Sequence, residues 1–125
     1  MTIIHATTLE RFEGHGGSMY GLATFSHGAT EISLWRATMA AGASSEPQYH
    51  DHEEVAFILE GEGLAHIAGA AAAFTAGDTL IFPAYSVHHV NNSGERPVDA
   101  LIVMPAGTRS FLPDGEELAP PAWAR

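Results

Sequence analysis

The chain contains no cysteine and no lysine. The first absence excludes disulfide scaffolds, thiol catalysis and cysteine-ligated zinc or iron–sulfur sites. The second excludes a lysine Schiff base. Five basic residues, all arginine, stand against fifteen acidic ones, for a formal net charge of −10. Nucleic acid and anionic membrane surfaces both require a cationic footprint, so neither is an expected partner. No apolar run approaches the length of a membrane span. The opening MTIIHATTLERFEGHGG also lacks the cationic start and apolar stretch of a secretory signal. A cytoplasmic protein is expected.

What remains is a chain of 125 residues, the size of one domain spanning 1–125. Short apolar segments are broken every eight to twelve residues by Gly, Pro, Asn or Asp, the spacing of an antiparallel sandwich or barrel. The pattern predicts strands over Gly21–Ser26, Glu31–Met39, Glu54–Glu60, Leu64–Ile67, Thr79–Phe82, Val87–Val90 and Val98–Met104. No stretch from 20 to 104 carries a capped helical stripe. Residues 105–125 hold four of the seven prolines and read as an irregular tail, with Phe111 and Trp123 as packing anchors. Gly14-His15-Gly16-Gly17 is a flexible loop, because no Lys follows in the arrangement a phosphate loop needs.

Eight histidines in so short a chain are the unusual feature, since His is the commonest metal ligand. Two segments concentrate them: Gln48-Tyr49-His50-Asp51-His52-Glu53-Glu54, and Gly77 through Asn92 with His88 and His89. Alternate residues of a strand face one side about 7 Å apart, so positions 48 and 50 can converge on one ion. Four residues on a straight strand span about 13 Å, too far to share an ion whose bonds are about 2 Å long. The chain must therefore bend between Asp51 and Glu53 if His50 and Glu54 are to meet. A neighbouring strand lies about 4.8 Å away laterally, and His88 is its natural contribution.

These segments resemble the cupins. Gly42, five residues, Gln48, Tyr49, His50, three residues, Glu54, six residues and Gly61 follow the spacing of the first cupin motif, with Gln48 where the leading His belongs. Gly77, five residues, Pro83, Ala84, Tyr85, two residues, His88, three residues and Asn92 follow the second, with Tyr85 where a turn Gly belongs. Fifteen residues separate the two motifs. The resemblance implies an all-β jelly-roll barrel with its core over about 20–104, often a homodimer, whose interior binds one divalent metal through three His and one Glu. Carried onto this chain, that set becomes His50, Glu54 and His88, with Gln48 as a fourth ligand or a hydrogen-bonding partner of bound water or substrate. Two His and one carboxylate form the facial pattern of non-haem iron oxygenases, so Fe is the first expectation, with Mn, Ni, Zn, Co or Cu as alternatives.

Further roles follow on the same footing. Glu54 and Tyr49 are candidate proton-transfer groups, with packing at the rim the alternative role for Tyr49. His52 is a spare ligand should Gln48 turn away, and otherwise a loop residue. Arg36 is either an exterior cation paired with an acid or a clamp for a substrate carboxylate. A bulky residue tolerates positive φ poorly, so the turn at Tyr85 is expected to be of another type, with Tyr85 at the cavity mouth near the substrate. His89 follows His88 directly and should face outward, and Asn92 should satisfy turn backbone. The resulting expectation is a metal-dependent enzyme acting on a small organic molecule, first a dioxygenase of an enol or phenol. The alternatives are a redox-neutral isomerase, cyclase or lyase, or a non-catalytic small-molecule or metal sensor.

Overall fold

In the computed structural model, which describes residues 1–14 and 16–125, twelve strands form two facing walls. His15, and with it the centre of the expected glycine-rich loop, lies outside the described residues. The first wall is a six-stranded sheet in the order β1 (Phe12–Gly14), β2 (Gly17–Ala23), β3 (Ile32–Met39), β10 (Val98–Pro105), β5 (Glu54–Glu60), β8 (Thr79–Phe82). The second wall is two three-stranded sheets. One has the order β7 (Ala70–Thr75), β6 (Glu62–Ile67), β9 (His88–Asn91), and the other β12 (Glu117–Leu118), β11 (Ser110–Phe111), β4 (Tyr49–His50). Isolated bridges between Ser44 and Asn91 and between Gln48 and His88 stitch the two small sheets together. Every strand pairing is antiparallel, and the arrangement is a jelly roll.

The alternation of β5 explains how one wall meets the core. Glu54, Ala56 and Ile58 are buried, while Val55, Phe57 and Leu59 lie on the other face. On β10 the buried positions are Val98, Ala100 and Met104. The core between the walls is Ala56, Ile58, Ala65, Phe74, Phe82, Val98 and Ala100. Between β5 and β6 the chain crosses from one wall to the other at Gly61, where φ is +93°. A side chain there would meet the Pro97 carbonyl oxygen at 2.7 Å, so the closing Gly of the first motif is required both by backbone conformation and by space.

Several elements depart from the strand pattern expected of the sequence. The strand expected over Gly21–Ser26 begins at Gly17 and ends at Ala23, and Phe25–His27 forms a 3-10 turn instead. The alanine run 70–73 enters a strand, because the two-residue turn Ala68-Gly69 folds it back onto β6 with Ile67 opposite Ala70. The tail is more ordered than a loose strap: β11 pairs with β4, and Trp123 packs edge-on against Trp35 with ring centroids 6.3 Å apart. Phe111 stacks on Tyr49 at 5.1 Å. No helix among the described residues is long and apolar enough to cross a membrane.

Candidate metal centre

β4 belongs to the second wall and β5 to the first, so the chain turns through a bend at Asp51 and His52 between them. That bend brings His50 and Glu54 face to face across the interior, with Nε2 3.7 Å from Oε1. From β9, His88 Nε2 lies 3.3 Å from the other Glu54 oxygen. The three side chains are buried, and their ligand atoms all lie within 4.8 Å of one another. Ligands about 2 Å from a shared ion sit roughly 3–4 Å apart, so the cluster closes on a cation with movements under about an ångström.

The two rings are aimed by what their outer nitrogens touch. His50 Nδ1 lies 2.7 Å from Ser110 Oγ, and His88 Nδ1 lies 3.2 Å from the Ser86 carbonyl oxygen. Both Nε2 atoms therefore face the interior. His50 Nε2 is fully buried and has no hydrogen-bond partner among the described residues. An unpaired buried polar atom is costly unless something binds it, and this one points at a carboxylate and a second imidazole. Phe82, directly opposite Glu54 in the β5–β8 ladder, stacks on the His88 ring at 4.4 Å. Burial holds the His50 pKa below the usual imidazole value against the pull of Glu54, and His88 lowers it further. A neutral ring with a free Nε2 lone pair is the form that ligates. The residues fit a divalent cation.

Gln48 and His88 exchange both backbone hydrogen bonds, at 3.1 and 2.8 Å. Residues so paired project to the same face, and Gln48 shares that face with His50 two positions on. The backbone pairing thus puts Gln48 on the same face of the ladder as His50 and His88. The remaining candidates lie elsewhere. The alternation that turns His50 inward sends Tyr49 outward, away from the cluster, where it stacks on Phe111 and lies 6.2 Å from Tyr85. Arg36 is exposed and bound through two nitrogens to Asp99 at 3.0 and 2.6 Å, on the face of the first wall opposite Glu54, which is the exterior pairing with an acid that was one of its two expected roles. His52 is exposed and its ring bonds its neighbour Asp51 at 2.8 Å. His89 stacks on His66 at 4.2 Å, away from the cluster, and burial depresses its pKa. Asn92 satisfies backbone, donating to the Met39 and Arg96 carbonyls and accepting from the Gly94 amide.

Tyr85 overturns its expectation in a different way. Its φ is +62°, so the turn keeps the left-handed conformation of the glycine it replaces. The reason is tertiary: the Tyr85 amide donates to the His50 carbonyl at 2.8 Å, and the next residue's carbonyl faces His88 Nδ1. The side chain itself is 69% exposed and does not enter the cluster. Sequence reasoning passed over Ser110, which lies sixty residues beyond His50 in a segment with no motif to mark it.

Residues 35–104 match the family model described as a cupin domain. The chain belongs to the cupins. Among curated proteins this cupin is 28% identical over 87 residues to auxin-binding protein 1 of Arabidopsis thaliana, an alignment covering 62% of this chain and 44% of that protein. The cupin thus spans less than half the length of that relative. Among solved structures, it resembles the polyketide cyclase RemF of Streptomyces resistomycificus with a TM-score of 0.75 at 18% identity, covering 98% of this chain and 88% of that one. It also resembles the oxalate decarboxylase of Lactobacillus farciminis with a TM-score of 0.74 at 24% identity, covering 82% of this chain and 32% of that one. At such identities the structural likenesses establish the fold alone.

Proposed function

We propose that this cupin is a metal-dependent enzyme that acts on a small organic molecule, with His50, Glu54 and His88 holding one divalent cation and Gln48 beside it. The observation that carries the reading is the convergence of two Nε2 atoms and a carboxylate at one buried point, with His50 Nε2 otherwise unpartnered. A divalent ion held there supplies Lewis acidity toward substrate oxygens, and Fe, Mn, Ni or Cu adds access to dioxygen. The protein's part is to hold and orient. Ser110 and the Ser86 carbonyl fix the two rings, and Phe82 braces His88. Of the proposed proton-transfer groups, Glu54 is the one within the cluster, where its carboxylate can take a proton from a substrate hydroxyl or acidic carbon. The net charge of −10 disfavours polyanionic substrates.

Two His and one carboxylate leave coordination positions open, and that donor set favours oxidation of an enol or phenol by dioxygen. Redox-neutral chemistry is the second reading, favoured by likeness along nearly the whole chain to a polyketide cyclase. Metal analysis, followed by oxygen-electrode assays of the Fe(II)-loaded protein with enols and catechols, separates the two. Oxygen uptake that depends on substrate and is lost in His88→Ala supports the oxygenase. Turnover that persists without oxygen supports the redox-neutral reading. Purified protein that retains no metal and is not stabilised by any added divalent ion refutes both. Tight ligand binding without turnover of any candidate would mark a binding protein, a role the similarity to an auxin-binding protein brings into view. We further propose a homodimer as the working assembly and the cytoplasm as its location.

A further inference from the structure

We infer that Ser110, carried by the C-terminal hairpin outside the matched cupin segment, is a positioning residue of the metal centre that fixes the tautomer of His50. The inference rests on His50 being a ligand, but it concerns where this ring keeps its proton. Ser110 sits directly opposite His50 in the β11–β4 ladder, so both side chains leave on one face and the hydroxyl meets Nδ1 at 2.7 Å. The hairpin that delivers it is tied down on both sides. The Asp51 amide donates to the Arg109 carbonyl at 3.0 Å, and the Arg109 amide donates back to the Asp51 carboxylate at 2.8 Å. The Arg109 guanidinium bonds both oxygens of Glu117 at 2.7 Å, and the Phe111–Tyr49 stack closes the outer face. A serine on a free tail could not hold a ring to a few tenths of an ångström; a serine in this ladder can.

The two histidines are held by chemically different partners. His88 Nδ1 faces a backbone carbonyl, which only accepts, so this contact favours the proton on Nδ1 and leaves Nε2 facing inward, 3.3 Å from Glu54. His50 Nδ1 faces a hydroxyl, which can accept or donate. What decides the direction is the other end of the ring. Glu54 Oε1, at 3.7 Å from His50 Nε2, is too distant to accept a proton held there, and that nitrogen has no other partner among the described residues. A proton on Nε2 would be buried and unpaired, whereas one on Nδ1 reaches Ser110 Oγ. The hydroxyl therefore accepts, and His50 presents a lone pair to the interior before any cation arrives. Removing the hydroxyl leaves neither nitrogen with a partner, and the ring loses both its preferred tautomer and its aim.

The test uses the full chain, with Zn(II) alone as the titrant and nitrogen-15 chemical shifts of His50 in metal-free protein as an independent readout. Wild type is expected to carry the His50 proton on Nδ1, Ser110→Ala to populate both tautomers, and Ser110→Thr, which keeps a hydroxyl, to restore the wild-type pattern. The Zn(II) dissociation constant is expected to rise about 10–100-fold in Ser110→Ala and to stay within several-fold of wild type in Ser110→Thr. A metal-free wild type with its proton on Nε2, or a Ser110→Ala variant that keeps both tautomer and affinity, overturns the inference. So does a threonine variant as weak as the alanine one, because the hydroxyl would then not be what acts. Failure of wild type to bind any divalent ion would instead refute the proposed function, and the tautomer measurement would still decide the role of Ser110.

Discussion

Tyr85 offers a test in which two small residues should reverse their usual order of stability. At φ +62° a residue with a Cβ is strained against its own carbonyl by about 1–2 kcal/mol, and glycine is not. Against that gain, glycine gives up about 0.4–1 kcal/mol because its unfolded chain is freer. Replacing Tyr85 with glycine also discards whatever its partly exposed ring contributes near Tyr49, so comparison with wild type mixes two effects. Comparing Tyr85→Gly with Tyr85→Ala removes the ring from both. The glycine variant should be the more stable by roughly 0.5–1 kcal/mol, or about 2–5 °C in melting temperature for a chain of this size. In an ordinary strand or helix the order is the opposite, alanine exceeding glycine by roughly 0.5–1 kcal/mol. Urea denaturation of the metal-free proteins, with unchanged m-values, measures the difference. Equal stability, or alanine ahead, would mean that the turn at 83–86 is not left-handed at Tyr85, and the account of how it grips His50 and His88 would fall with it. Tyr85→Pro should do the opposite of glycine: it removes the amide that donates to the His50 carbonyl and forbids positive φ, so divalent-ion uptake should drop together with stability.

Glu54→Gln replaces the one anionic donor of the cluster, and divalent-ion affinity by calorimetric titration should fall on the order of 100-fold or more, with the metal-free fold intact. Arg36→Ala should leave both ion affinity and turnover near wild type, since its partner is Asp99 on the far face of the sheet; a large rise in KM for a carboxylate substrate would restore it as a clamp. The metal-free protein should lose stability as the pH falls. Burial keeps His50 deprotonated below its ordinary pKa of about 6.5, so in the window below that value the unfolded chain binds the extra proton and the folded chain resists it. The contribution is whole above that value and declines as pH drops toward the depressed folded one. His89 is shifted in the same direction, so His50→Gln should flatten only part of the slope; stability that does not vary between about pH 5 and 7 would contradict the burial argument.

The parts of this molecule that follow from sequence are those where one residue type can meet one demand. Glycine at 61, the alternation of β5 and the histidine spacings each express a local geometry, and the structure meets them. The same alternation turns Tyr49 away from the cluster: if 48 and 50 face in on one strand, 49 faces out. The parts that do not follow are set by pairing with distant chain. Four successive alanines carry no strand preference, and β7 exists because β6 gives them a partner across a two-residue turn. Strands of two residues, such as β4 and β11, are too short to show a period at all. At Tyr85 the local rule was sound and still lost, since the turn is held from a distance, by the hydrogen bond from the Tyr85 amide to the His50 carbonyl.

The substitution at Gln48 and the serine at 110 belong to one physical problem. A neutral amide oxygen is a weaker ligand than an imidazole, so a centre with Gln48 in place of a third histidine depends more on how well its remaining donors are aimed. In the proposed centre, aim is supplied from outside the His50, Glu54 and His88 cluster, by a carbonyl behind His88 and a hydroxyl behind His50, and the hydroxyl comes from a hairpin that contributes no member of that cluster. If that compensation is real, the two sites must be coupled. Gln48→His should raise ion affinity by itself, and it should shrink the loss caused by Ser110→Ala, because a fourth strong donor relaxes the demand on the aim of His50. A double-mutant cycle read by Zn(II) affinity measures the coupling directly. Strictly additive losses would mean that Gln48 and Ser110 act on separate features of the barrel, and that the hairpin serves the fold and not the centre.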